Sequence, residues 1–485
     1  MKTSLVLQFL AAAATAAALE LTVTTSEGPV TGHPAPGVEG VYEFLGVPYA
    51  KPPVGELRFA APVEAGAREE GAVFVADAYG VTLGNPMGED CLFLNVWSKA
   101  TAKKNKPVVV FFHGGRWSFG TSASPTFNGK YLADTEDIIV ITVNFRLNIF
   151  GFPGAPDSDQ NLGIRDQRLA IQWIHSNIGA FGGSSSRITI IGQSAGAVAL
   201  DFWAYAYKHD PIVAGIISLS GNAYSFPVNT PELASQNWYN VSAQLGCGEQ
   251  GDDTLACVRE AAWEDIRDAA AKVPPPPGSS QARSQAPFQA TVDGELVFGD
   301  YYERAQKGNL AKIPFILGNN ENEAGLYKIS AYGQGRVLNQ SVWDEFNLQC
   351  FTCATALGAA QRVKSGVKTW RYVHHGDWDN TRLYPTSGAY HTVDLYMLFG
   401  TSEDVSGIPE VAAQTEAKRH IQKAYAAFAA DPVNGLTEQM GWPVYDPEED
   451  TLIELSLDNN PQPLLARGAR YDAECAQFLD GYKET

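Results

Sequence analysis

One serine, Ser194, stands in the run RITIIGQSAGAVAL (187–200), with Gly192 two residues before it and Gly196 two after. A serine hydroxyl becomes a nucleophile only when a base takes its proton. The oxyanion it then raises on a carbonyl needs donors already in place, each worth about 3 kcal/mol of barrier. Small residues on both sides are what a strand-to-helix turn requires when it is sharp enough to expose such a nucleophile. The same turn sets Ser194 at a helix N-terminus, where free N–H groups favour negative charge. In a chain of 485 residues with 46 glycines the bare pattern is weak, and alone it fits equally a tight turn whose serine caps a helix. A second pattern strengthens it: His113-Gly114-Gly115 follows an apolar run, and its glycines let backbone N–H groups approach a ligand closely.

The base would be a histidine. His420 lies in a helical run, EAKRHIQKAYAAF, and reads as a surface residue; His374 and His375, beside Asp377, read as solvated residues at a strand end. His391 follows the loop RLYPTSGAY and precedes an apolar helix-like run that could hold an imidazole over a pocket. The acids best placed to orient it are Glu321 and Glu323 in GNNENEAG. Serine, acid, histidine is the chain order expected of such a turn.

These groups need a frame. PVVVFF (107–112), IIVITV (138–143) and RITII (187–191) are apolar runs suited to strands buried on both faces. Between them RDQRLAIQWIHSNI repeats its apolar residues Leu169, Trp173, Ile174 and Ile178 at helical spacing. Strand and helix in alternation predict an α/β chain with a large, mostly parallel sheet flanked by helices. Strand-like runs resume at 313–318, 369–373 and 452–457, beyond the proline-rich VPPPPGSSQARSQAP (273–287), so that segment reads as a surface loop of one domain rather than a linker. In such sheets ligands and catalytic groups gather at the carboxyl ends of the strands.

The N-terminus, MKTSLVLQFLAAAATAAALE, has one lysine, an apolar run and the small-residue spacing of a signal-peptidase site. Residues 1–18 are expected to be a signal peptide cleaved after Ala18, leaving 19–485 as the exported domain. The run is shorter than the ~20 apolar residues a membrane span needs, and no later segment is a better candidate. A net charge of −19 argues against nucleic acid and anionic lipid as partners. Six cysteines fit an oxidising compartment. The Cys350/Cys353 pair has no companion cluster, so no metal is expected. Asn240-Val-Ser and Asn339-Gln-Ser are glycosylation sequons, expected on surface loops.

A longer series of segments carries a resemblance: FLGVPYAKPPVGELRF, GEDCLFLNVW, HGG, VNFRLNIFGF, NLGIRDQRLAIQWIHSNIGAFGG, GQSAGA, ISLSGNA, LGNNENEAGLY and GAYHTVDLYMLFG. In this order, along nearly the whole mature chain, they resemble the type-B carboxylesterase and lipase family, which includes the cholinesterases and has the α/β-hydrolase fold. The resemblance implies Ser194 as nucleophile, His391 as general base and Glu323, preceding the small residue of ENEAG, as the acid. It implies an oxyanion hole from the N–H groups of Gly115, Arg116 and Ala195, and a supporting pair, Ser220 and Asp394, that braces the histidine. It pairs Cys247 with Cys257 and Cys353 with Cys475, leaving Cys91 and Cys350 free.

Three positions and one stretch depart from the family pattern. Arg116 replaces a glycine or alanine; its donor survives if the local backbone tolerates a side chain, and its guanidinium could favour a polar or anionic acyl group or turn away to a surface acid. Gln193 replaces a glutamate, and Asp394 another. The stretch YGVTLGNPMGEDC is short and lacks an upstream cysteine, which removes lid material and points to an open-pocket esterase rather than an interfacial lipase or a cholinesterase. The expected activity is hydrolysis of small-molecule carboxylic esters through an acyl-enzyme, with no cofactor. Because the base must be neutral, kcat/KM should fall on the acid side of an apparent pKa near ~6.5. The alternatives are a lipase-like or amide-hydrolysing relative and a non-catalytic recognition ectodomain.

Overall fold

The structure is a computed structural model that describes residues 21–67, 74–75, 87–156, 158–251, 253–276 and 279–483. The expected signal peptide and most of the shortened loop, residues 79–86, lie outside the described residues.

One sheet of eleven strands organises the chain. In chain order they are β1 (His33–Pro34), β2 (Val41–Pro48), β3 (Phe93–Lys99), β4 (Lys106–Phe112), β5 (Ile139–Val143), β6 (Gly183–Gln193), β7 (Gly215–Leu219), β8 (Phe315–Asn320), β9 (Thr369–His374), β10 (Leu452–Leu455) and β11 (Leu464–Ala466). Their spatial order is β1-β2-β3-β5-β4-β6-β7-β8-β9-β10-β11. From β5 to β10 neighbours are parallel, and antiparallel strands finish both edges. Every residue of β4, β5, β7, β8 and β9 is buried, as continuous apolar runs require when helices cover both faces.

The pleat divides each strand between two cores. Val108, Val110 and Phe112 of β4 pack with Ile171 and Ile174 of helix α1 (Leu162–Asn177) and with Val198 and Phe202 of helix α2 (Ala195–Ala206). Val109 and Phe111 face the other way, toward Ile421, Tyr425 and Phe428 of a long helix, Ala412–Ala430. Strand β5 lies on one side of β4 and β6 on the other, so the connections leaving β4 and β6 diverge. A crevice opens at their carboxyl ends. HGG follows β4 and Ser194 follows β6, so the two sequence patterns border that crevice together.

Cys247–Cys257 and Cys353–Cys475 are disulfides, with Cα separations of 5.5 and 5.2 Å. Cys91 and Cys350 are free thiols, each pushed up to about 12 by burial. Asn339 is exposed at the start of a helix. Asn240 is exposed too, but on the helix Pro231–Gln244 rather than in the expected loop; Thr230, accepting from the Leu233 N–H, and Pro231 start that helix. The described residues of the segment 273–287 form no helix or strand, but they are not purely on the surface: Ala282, Arg283 and Ala286 are buried.

Candidate active site

Ser194 occupies the turn between β6 and α2 with φ 55° and ψ −123°, a conformation that costs a side-chain-bearing residue about 1–3 kcal/mol. Its neighbours show why glycine flanks it. A Cβ on Gly192 would sit 2.5 Å from the Gly196 backbone, and one on Gly196 would sit 2.2 Å from the Phe112 carbonyl oxygen. The turn therefore packs directly on the end of β4, and its N–H donates to the Leu219 carbonyl at 2.9 Å.

The structure separates the two candidate acids. Glu323 is fully buried just beyond β8, with Oε2 2.5 Å from Nδ1 of His391. Its other oxygen accepts from Ser220 Oγ and from the Asn320 N–H, both at 2.6 Å. Glu321 is exposed, with Oε2 3.2 Å from Nδ1 of His375, a contact that holds its carboxyl below the usual value. His391 is 3 % exposed, with its ring between Tyr327 and Phe351 at centroid distances of 5.2 and 5.1 Å. With Nδ1–H given to the carboxylate, Nε2 carries the lone pair. It lies 3.1 Å from Nε2 of Gln193, which donates to it. Among the described residues Ser194 Oγ makes no hydrogen bond to His391; the amide of the preceding residue takes that place.

The supporting pair is arranged differently from its expected bracing of the histidine. Ser220 reaches the acid. Asp394, at the start of a short helix, Asp394–Phe399, accepts from Asn320 Nδ2 and from the Tyr372 hydroxyl, both at 3.2 Å, rather than from His391. Burial, and then the charge of Glu323, push its carboxyl up to about 6.

Across the crevice the HGG loop has left-handed backbone at Gly115 (φ 103°), Arg116 (φ 56°) and Trp117 (φ 63°). Gly115 has no substitute, since a Cβ there would fall 1.8 Å from the Phe119 carbonyl oxygen. Arg116 accepts the strain that its predecessor avoids. Among the described residues the N–H groups of Gly115, Arg116 and Ala195 donate to no protein acceptor. His113 underpins the loop: it is stacked on Phe145 at 4.7 Å, its Nδ1 is 2.8 Å from the Gly114 carbonyl, and burial lowers it to about 4. Arg116 does not turn away to a surface acid; Nη2 donates to the Ser284 carbonyl of the proline-rich loop.

The remaining histidines are elsewhere. His374 and His375 are not solvated but 1 % and 6 % exposed; burial lowers His374 to about 3, and His375 Nε2 lies 3.0 Å from the Tyr471 hydroxyl. His420 is half-buried, stacked on Trp442.

A serine on a strand-to-helix elbow, at the switch point of a mostly parallel sheet covered by helices on both faces, defines the α/β-hydrolase fold. The chain belongs to the carboxylesterase family, whose model matches residues 19–351. It is similar to the chlorogenic acid esterase of Aspergillus niger, with 29 % identity over 94 % of each chain, and to secreted lipase 5 of Gibberella zeae, with 31 % identity over 94 % of each. Among solved structures, a PNB esterase superposes with a TM-score of 0.79 at 25 % identity, covering 94 % of this chain and 98 % of that one. The chain is a carboxylic ester hydrolase.

Two features of the site escaped the sequence reading: the contact of Gln193 with the imidazole, and the burial of Arg283 beside the crevice. The departure of Gln193 from the family pattern was the one available signal for the first.

Proposed function

We propose that the enzyme hydrolyses carboxylic esters through an acyl-enzyme on Ser194, with His391 as general base and Glu323 orienting it, and that it acts outside the cell. The observation that carries the reading is the buried carboxylate–imidazole pair, 2.5 Å apart, with Nε2 beside the residue that precedes Ser194.

As substrate enters, Gln193 yields Nε2 to the Ser194 hydroxyl, a side-chain rotation rather than a backbone change. Oγ attacks the carbonyl carbon while its proton passes to Nε2, and the negative oxygen takes the free N–H groups of Gly115, Arg116 and Ala195. The imidazolium, held by Glu323, gives its proton to the leaving alcohol oxygen as the C–O bond breaks. Water then adds to the acyl-enzyme by the same proton path and releases the acid. Export is supported by the two disulfides, by the similarity to a secreted lipase and by the N-terminal sequence. Among the described residues no helix is long and apolar enough to cross a membrane. The test is a panel of para-nitrophenyl and alkyl esters of graded chain length, run on the wild type and Ser194→Ala. Turnover lost throughout in the variant supports the reading, and turnover retained overturns it.

A further inference from the structure

Three arginines converge on one side of the site. Arg116 directly follows Gly115, and its Nη2 donates to the Ser284 carbonyl. Arg283, the residue before Ser284, is 6 % exposed, with its guanidinium carbon 4.0 Å from the centroid of Phe226. Phe226 packs on Phe351 at 5.6 Å, and Phe351 packs on His391 at 5.1 Å. Arg336 donates from Nη1 to the carbonyl of Gln281, two residues before Arg283. The same short loop thus gathers all three.

Among the described residues no acid answers them. The chain has 54 acidic residues against 35 basic ones, and buried arginines elsewhere are paired: Arg146 with Asp166, Arg362 with Asp201, Arg371 with Asp472. Among the described residues Arg116, Arg283 and Arg336 enter no ion pair, and the Nε atom of each is buried without a hydrogen-bond partner. Burial, then the charges of Arg283 and Arg336, lower Arg116 to about 10, and the Tyr327 hydroxyl partly opposes this. Arg283 is buried and Arg116 and Arg336 are half-buried; cations so placed, unpaired and mutually repelling, are costly. An arriving anion relieves that cost, and the planar guanidinium is matched to a carboxylate.

We propose that Arg116, Arg283 and Arg336 form a subsite for a carboxylate carried by the substrate, so that the preferred substrates are anionic esters. Phe226 and Phe351 stand between this subsite and His391, and so favour an apolar spacer between carboxylate and ester. The inference rests on the serine-esterase reading above.

The test compares kcat/KM for para-nitrophenyl hydrogen adipate with para-nitrophenyl hexanoate, where the charge lies on the acyl half, and for para-carboxyphenyl butyrate with phenyl butyrate, where it lies on the alcohol half. The charged member of one pair should be favoured at least tenfold, and that pair identifies the half of the substrate that meets the arginines. In Arg283→Met the charged-to-neutral ratio should fall toward one, while Arg283→Lys should keep part of it. The ratio is read on a single enzyme preparation, so partial misfolding cancels. No preference in either pair, or a preference unchanged in Arg283→Met, overturns the subsite while leaving the esterase reading intact. Failure to hydrolyse even the neutral esters refutes the esterase reading itself.

Discussion

Replacing Glu323 by glutamine tests the site through one proton. The carboxylate accepts from three donors: His391 Nδ1 at 2.5 Å, and Ser220 Oγ and the Asn320 N–H at 2.6 Å. Glutamine offers one oxygen and one NH2 group. The Asn320 N–H cannot reverse its role, whereas the Ser220 hydroxyl can rotate, so the amide oxygen turns to Asn320 and the NH2 group faces His391. Nδ1 must then accept, which moves the imidazole proton to Nε2, the atom that has to take the proton of Ser194. The wrong tautomer in a triad of this kind lowers kcat by about 10⁴, which is about 5 kcal/mol of barrier. Steady-state hydrolysis of para-nitrophenyl butyrate by Glu323→Gln should show that loss in kcat, with KM changed little and far-ultraviolet circular dichroism retained. A loss under about tenfold would refute the reasoning, because a base needing no oriented carboxylate would be at work.

Other perturbations separate stability from chemistry. Ser194→Gly relaxes the strained turn at φ 55° and should raise the thermal midpoint, by about 1 kcal/mol of stability or more, while abolishing turnover; an unchanged or lower midpoint would count against strain at the elbow. Asp394, with its folded pKa raised to about 6, binds its proton more tightly folded than unfolded. Its stabilising contribution is therefore complete below about pH 4 and lost as pH rises through about 6, an order of about 3 kcal/mol. Denaturant midpoints for Asp394→Asn should gain on the wild type between pH 4 and 6 and run parallel above; a pH-independent gap would contradict this. Asp201 on α2 is fully buried, accepts the Ala223 N–H and pairs with Arg362. Arg362→Met should cost about 3–5 kcal/mol in equilibrium unfolding, and adding Asp201→Leu should recover much of it.

What the sequence made legible is what periodicity and crowding control. The strands 106–112 and 139–143 lie within a residue of the apolar runs 107–112 and 138–143, because a strand buried on both faces leaves a contiguous local signature. The run 187–191 covers much of the buried part of the strand 183–193, whose polar start, GSSS, carried no such signature. Helix α1 begins at Leu162, three residues before its amphipathic run. The glycines around Ser194 were legible because their crowding is local. Contacts across long stretches of chain were not. His374 and His375 read as solvated because the residues around them are polar, yet Tyr471, far along the chain, packs on His375. The amide of Gln193 meets an imidazole 198 residues away, and Arg283 sits in a segment whose composition suggests only loop. Sequence spacing carries no record of such meetings.

The central claim is that Ser194 is activated by His391, and covalent trapping tests it most directly. After treatment with an alkyl fluorophosphonate, peptide mapping by mass spectrometry should find one adduct, on Ser194, formed far more slowly in His391→Ala. An adduct on another residue, or equal labelling rates in the wild type and His391→Ala, would contradict the account.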